Sequence, residues 1–170
     1  MKPTVASGTG VAPCVHLTRR YWFCASHRLH NPALSEVDNS TLYGKCNNAG
    51  GHGHNYHLEL TLAGPVNSRT GMVMDLAELD HFVQDRILEI FDQTHLNDHA
   101  SFETVVPTTE NLCLEIRRVV QSGWAELQTA QAARLARVRL EETSSNFFEI
   151  EEDLQAGSAR MTDADAGRSV

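Results

Sequence analysis

The chain contains no Cys-x-x-Cys pair, and its four cysteines, Cys14, Cys24, Cys46 and Cys113, show no small-scaffold spacing. That excludes a disulfide framework and a thiolate zinc knuckle, and leaves reduced thiols in a cytoplasmic protein as the expectation. Positive charge is scarce as well: 14 Lys and Arg stand against 22 Asp and Glu, for a net charge of −8 and a sequence pI near 5.5. Nucleic acid and anionic membrane are therefore excluded as general partners, and any anionic substrate must be met by a local basic pocket. No apolar run approaches the length of a membrane span, and "MKPTVASGTGVAP" has no hydrophobic core of a signal peptide. Histidine, by contrast, is abundant, with nine in 170 residues.

A chain of this length builds one core. Residues 1–13 and 154–170 are small and polar and are expected to be disordered, leaving a single domain over 14–153. Four segments carry strand patterns. "CVHLTRRYWFCAS" is rich in β-branched and aromatic residues, and "HNYHLELTLAG" places Tyr56, Leu58, Leu60 and Leu62 on one face. "LARVRLEET" and "NFFEIEE" do the same around a short Ser-containing turn. Two segments carry helical patterns. "DLAELDHFVQDRILEIF" aligns Leu76, Leu79, Val83, Ile87 and Ile90 or Phe91, and "PTTENLCLEIRRVVQSG" aligns Leu112, Ile116 and Val119 before a stop at Gly123. The order ββααββ predicts an α+β fold, a four-stranded antiparallel sheet packed on two helices.

Within this frame, "KCNNAGGHGHNY" sets two histidines one residue apart behind a cysteine. On a helix, metal-binding histidines would be three or four residues apart. A single intervening residue puts both imidazoles on one side only if the backbone is extended. His52 and His54 are then neighbours at the start of the second strand. His27, at the end of the first strand, meets them if the two strands form a hairpin closed by the loop from Asn31 to Gly51. Three neutral imidazoles with one open position form a catalytic zinc site. Cys46 lies in the same polar loop, where a nearby dication favours thiolate. It reads either as a general base or as a fourth ligand, and the latter would close the site and make it structural.

These residues, with "ASHRLHNPALSEVDNSTLYGKCNNAGGHGHNYHLEL", "GMVMDLAEL", "LND", "PTTENL" and "VRLEET", resemble the family of 6-pyruvoyl-tetrahydropterin synthases, which includes the 6-carboxytetrahydropterin synthases of queuosine biosynthesis. The resemblance covers about Val15 to Glu152. It implies the tunnelling fold, assembled as a dimer of trimers with active sites between subunits. It also implies Zn2+ on His27, His52 and His54, and Cys46 as the base that removes a side-chain proton. Glu142 corresponds to the pterin-anchoring glutamate, followed by Thr143, and Thr108, Thr109 and Glu110 lie near the pterin pocket. Taken alone, Glu142 reads equally well as a solvated strand residue and "PTTEN" as a helix start. The implied activity is a zinc-dependent lyase converting 7,8-dihydroneopterin triphosphate to 6-pyruvoyl-tetrahydropterin with loss of triphosphate. The alternative within the family releases acetaldehyde as well and leaves a 6-carboxy group. Arg28 and Lys45, which flank the ligands, are the candidates for meeting the triphosphate.

The chain departs from the pattern at one catalytic position. Relatives carry Asp-His in "DHxxLN", whereas this sequence reads "FDQTHLND", which keeps Asp92 and has Gln93 in place of the relay histidine. A glutamine hydrogen-bonds but carries no proton near neutral pH. His95, two residues on, is the candidate substitute if the segment is extended. A pterin-binding paralogue with weak or lost turnover is the reading that Gln93 otherwise supports.

Overall fold

A computed structural model of the chain describes residues 13–130 and 132–151. Apart from Pro13, the segments expected to be disordered, 1–13 and 154–170, lie outside the described residues, as does Glu152 of the last predicted strand. Strand β1 (Cys14–His27) pairs antiparallel with β2 (His52–Pro65) without interruption, from Cys14 opposite Pro65 to His27 opposite His52. Strand β4 (Arg134–Thr143) pairs antiparallel with β2, and β5 (Asn146–Glu151) antiparallel with β4. Between β2 and β4 run α2 (Leu76–Val83), a π-helical segment Gln84–Leu88, the short α3 (Glu89–Phe91) and α4 (Thr109–Gly123).

The predicted ββααββ order holds, with two additions. The loop between β1 and β2 contains α1 (Glu36–Tyr43), and residues Thr94–His95 form β3, a two-residue strand that runs parallel to β1. The sheet therefore has five strands in the order β3-β1-β2-β4-β5. Neither addition has a hydrophobic signature. The only buried residue of α1 is the polar Asn39, and two residues cannot display a period.

The core is the inward stripe of the sheet packed against the helices. Tyr56, Leu58, Leu60 and Leu62 of β2 are fully buried, beside Tyr21, Phe23 and Ala25 of β1 and Val138 and Leu140 of β4. From the helical layer come Leu79, Val83, Ile87 and Phe91, then Leu112, Cys113, Ile116 and Val120. Phe91 takes the inward place, and Ile90 faces outward; on α4 it is Val120, not Val119, that completes the stripe. Each such side chain contributes about 1.5–3 kcal/mol by leaving water.

The β1–β2 connection is fixed by Asn39. Its Oδ1 accepts from the backbone N–H of Asn31, and its Nδ2 donates to the carbonyls of Asn31, Leu34 and Ser35. Ser35 caps α1 by accepting from the Asp38 N–H. The substitution Asn39→Ala strands these buried groups, and is expected to destabilise the fold by about 3 kcal/mol. Urea denaturation should show a lower midpoint with an unchanged slope.

Candidate active site

Side chains two apart on a strand share a face, so an inward apolar stripe that runs past the edge of the core carries its last residues with it. On β1 the stripe Tyr21, Phe23, Ala25 ends in His27. On β2 the stripe Leu60, Leu58, Tyr56 continues backwards to His54 and His52. On β4, running the opposite way, Val138 and Leu140 are followed by Glu142. The antiparallel pairing brings these three strand ends to one end of the sheet.

The three imidazoles accordingly converge. Their potential ligand atoms all lie within 4.8 Å of one another, with ring centroids 4.6, 4.8 and 5.1 Å apart. His27 Nε2 and His52 Nε2 are 3.1 Å apart. His27 is almost wholly buried, and its Nδ1 lies 2.8 Å from the Pro107 carbonyl. A carbonyl can only accept, so that nitrogen carries the proton and the lone pair is left on Nε2, toward the cluster. Burial pushes the His27 pKa down, as do His52 and His54, against the opposing pull of Pro107 and Glu142. Burial lowers His52 too, helped by His54. Both rings are therefore held in the neutral form a cation requires. Buried His54 Nε2 has no hydrogen-bond partner among the described residues. A set of three imidazole nitrogens, one of them buried and unpartnered, fits a divalent metal ion.

Glu142 lies against the same cluster. It falls at a register irregularity between β4 and β5, where Glu141 faces Phe147 and Thr143 faces Asn146, so it has no partner of its own across the strand. Thr109 donates to its Oε1 at 2.5 Å and Asn146 Nδ2 to its Oε2 at 2.9 Å. Oε1 is 3.6 Å from His54 Nε2 and 3.8 Å from His27 Nε2. Burial works to raise the Glu142 pKa, but the two hydrogen bonds and the neighbouring imidazoles outweigh it and hold the carboxyl below its ordinary value. Glu142 is thus a half-buried, ionised group and not a solvated strand residue.

The other predicted residues divide. In "PTTEN", Thr109 is buried and reaches Glu142, whereas Thr108 caps α4 by accepting from the Asn111 N–H and Glu110 is exposed on the first turn. Thr143 bonds Asn146 in the β4–β5 turn, and so supports the side chain that holds Glu142. Cys46 is half-buried in the 3-10 turn Gly44–Asn47, fastened beside the end of β1 by the Leu29 N–H to Cys46 carbonyl bond of 2.8 Å. Arg28 gives its Nε proton to the Asn47 carbonyl, and Lys45 is exposed with no ion-pair partner among the described residues.

Asp92, Gln93 and His95 gather on the other side of β1. Asp92 Oδ1 accepts from the Cys24 N–H at 2.7 Å, and Gln93 N–H donates to the Cys24 carbonyl at 2.6 Å. Gln93 has φ of 57°, so the chain is not extended there and turns left-handed to lay β3 beside β1. An open cleft of about 510 Å³ takes in Gln93, His95, Cys24, Ser26, Gly53 and His54. Of the imidazole cluster only His54 lines it, between Gly53 and Asn55, which point to the opposite face of β2.

The family model for 6-pyruvoyl tetrahydropterin synthase matches residues 16–153. The chain belongs to the 6-pyruvoyl tetrahydropterin synthase family. Within it, the chain is 40% identical over 137 residues to the 6-pyruvoyl tetrahydrobiopterin synthase of Drosophila melanogaster, covering 80% of this chain and 79% of that one. Against the human 6-pyruvoyl tetrahydrobiopterin synthase it is 40% identical over 133 residues, or 77% and 87% of the two chains. The solved 6-pyruvoyl tetrahydropterin synthase of Caenorhabditis elegans superposes with a TM-score of 0.75 at 36% identity, covering 84% of this chain and 98% of that one. The tunnelling fold of the family is therefore the fold of this chain.

Three supporting groups carry no site signal in the sequence: Asn146 stands in a strand pattern, Tyr56 in the core stripe, and the Pro107 carbonyl is a group that any residue supplies. The Tyr56 hydroxyl is buried without a partner among the described residues, and its ring lies 5.7 Å from that of His54.

Proposed function

We propose that the chain is a zinc-dependent lyase that converts 7,8-dihydroneopterin triphosphate to 6-pyruvoyl-tetrahydropterin and releases triphosphate. The observation that carries this reading is the convergence of His27, His52 and His54 on one point beside the ionised Glu142. Relatives named as 6-pyruvoyl tetrahydrobiopterin synthases align over most of their own length, which supports it further.

Zinc held by the three imidazoles would polarise the substrate's side-chain hydroxyls and acidify the adjoining C–H bonds. Glu142 would take the amino-pyrimidine edge of the pterin as a paired acceptor, its orientation fixed by Thr109 and Asn146. Cys46, as thiolate, would accept the side-chain proton. Asp92 would hold the β1 edge that frames the cleft, and Arg28 and Lys45 would face the triphosphate. The reaction needs no external reductant, because the electrons gained by the ring leave the side chain of the same molecule. The assembly is a homo-hexamer of two trimers, a reading supported by the helix-free face of the sheet, where Trp22 and Phe147 are 61% and 47% exposed.

The deciding experiment combines elemental analysis of the purified protein with product identification after incubation with 7,8-dihydroneopterin triphosphate. One zinc per chain and a pyruvoyl product are expected. Acetaldehyde release would assign the chain to the 6-carboxy branch, and bound zinc and pterin without turnover would make it the binding paralogue that Gln93 suggests. The substitution Cys46→Ser separates the two roles of that thiol. As base, its loss lowers turnover on the order of 10²-fold with zinc retained; loss of zinc would instead make it a ligand and the centre structural.

A further inference from the structure

A phenol stands directly behind the imidazole cluster. Tyr56 follows His54 on the inward stripe of β2 and is fully buried, and its hydroxyl has no hydrogen-bond partner among the described residues. The ring stacks on Phe23 with centroids 5.1 Å apart and lies 5.7 Å from the His54 ring. Packed in this way, it cannot swing its hydroxyl out to water. Strands β2 and β4 pair Leu58 with Leu140 and His57 with Glu141. One further step along that antiparallel ladder sets Tyr56 across from Glu142, both on the inward face. Thr109, at the start of α4, donates its only hydroxyl proton to Glu142 Oε1 at 2.5 Å, so its oxygen keeps lone pairs that can accept. Burial pushes the Tyr56 pKa up, the Thr109 hydroxyl pulls it back, and the Glu142 charge adds to the rise. The phenol is thus a donor with both groups close enough to act on it. A buried donor without a partner weakens a fold, and a phenylalanine would fill the same slot without that cost.

Resting on the pterin-anchoring role given to Glu142 above, we propose that Tyr56 is a positioning residue of that anchor, its hydroxyl donating to Thr109 Oγ1 when the pterin seats on the carboxylate. The chain then runs from Tyr56 to Thr109 to Glu142 Oε1, each hydroxyl donating onward, while Asn146 Nδ2 holds Oε2 from the other side. A hydroxyl that accepts a hydrogen bond becomes a better donor. The phenol therefore strengthens the Thr109 bond at the moment when the N–H groups of the pterin compete for the same carboxylate. No proton changes hands. Tyr56 touches neither the pterin nor the metal, and acts only through Thr109.

The test uses the full-length, zinc-loaded protein, with 7,8-dihydroneopterin as the probe in a fluorescence titration. Tyr56→Phe removes the hydroxyl and keeps the ring. It should weaken pterin binding about fivefold or more, with zinc content unchanged. The urea midpoint should be no lower than in wild type, because the hydroxyl has no hydrogen bond among the described residues to lose. A phenol of merely structural value predicts the reverse, a lower midpoint with unaltered affinity, and that result overturns the proposal, as does loss of zinc. The route through Thr109 is read from a double-mutant cycle. In Thr109→Val, adding Tyr56→Phe should change pterin affinity by less than about twofold. An undiminished effect there overturns the route and puts the phenol on the pterin or on Glu142 directly. In turnover of 7,8-dihydroneopterin triphosphate, Tyr56→Phe should raise KM with kcat within about twofold; a lower kcat at unchanged KM counts against a role in holding the anchor and overturns it. Wild-type protein that holds zinc but does not bind 7,8-dihydroneopterin overturns the anchor reading itself, and does so before any substitution is made.

Discussion

Replacing His52 by alanine is expected to leave the protein unable to hold stoichiometric zinc and to lower turnover by about 10³-fold. The three imidazoles supply every nitrogen of the cluster, and His52 Nε2 stands only 3.1 Å from His27 Nε2. Two histidines give a poorer chelate, even with Glu142 Oε1 3.8 Å from His27 Nε2 and 3.6 Å from His54 Nε2. Lewis-acid polarisation contributes several kcal/mol to a transition state, and about 4 kcal/mol is a factor of about 10³ in rate. The loss should not be a folding defect. His52 is only partly buried, at the end of the β1–β2 ladder, and its Nδ1 has no hydrogen bond among the described residues to lose. Zinc content measured beside far-ultraviolet circular dichroism separates the two effects. Stoichiometric zinc in the variant would remove His52 from the ligand set.

The second large effect is expected from Glu142→Ala, with kcat/KM for the triphosphate falling by about 10³-fold and zinc retained. Truncating one partner of a buried, hydrogen-bonded charge costs about 2–5 kcal/mol, because the groups that faced it are left unpaired. Here those are the Thr109 hydroxyl and the Asn146 amide, and the pterin edge when substrate is bound. The carboxylate is close enough to His27 and His54 that it invites a rival role on the metal. The rival is settled by the same protein. An anchor loses pterin affinity and keeps zinc, whereas a ligand loses both. Equilibrium dialysis with zinc, and fluorescence titration with 7,8-dihydroneopterin, give the two numbers.

Much of the site could be read from strand alternation alone. His27, His54 and His52 extend hydrophobic stripes by one or two steps of two, His27 after Tyr21-Phe23-Ala25 and the other two after Leu60-Leu58-Tyr56. A polar residue in an inward slot at a strand end is a signal, and Glu142 carries it after Val138 and Leu140. The hairpin that sets His27 opposite His52 was legible too, because no other strand pattern stands between these two in the sequence. What alternation cannot supply is anything made by backbone or by too few residues. The Pro107 carbonyl, the two-residue β3 and the left-handed Gln93 are of this kind. Helix α1 escaped because it turns on Asn39, a hydrogen-bonding centre and not an apolar face. The ambiguity at Glu142 came from reading it without its bulge.

The long uninterrupted pairing of β1 with β2 has a consequence for how the protein comes to its native form. A ladder of that length has near-miss alignments, each displaced by one step, and any of them would throw every alternate side chain of β2 through the sheet. In such a mispaired hairpin His52 and His54 would look away from His27, and no cation could be chelated. A metal that binds only the correct alignment removes it from the pool of competing pairings by mass action. The ion would then act as a proofreader of strand alignment during folding as well as a reagent afterwards.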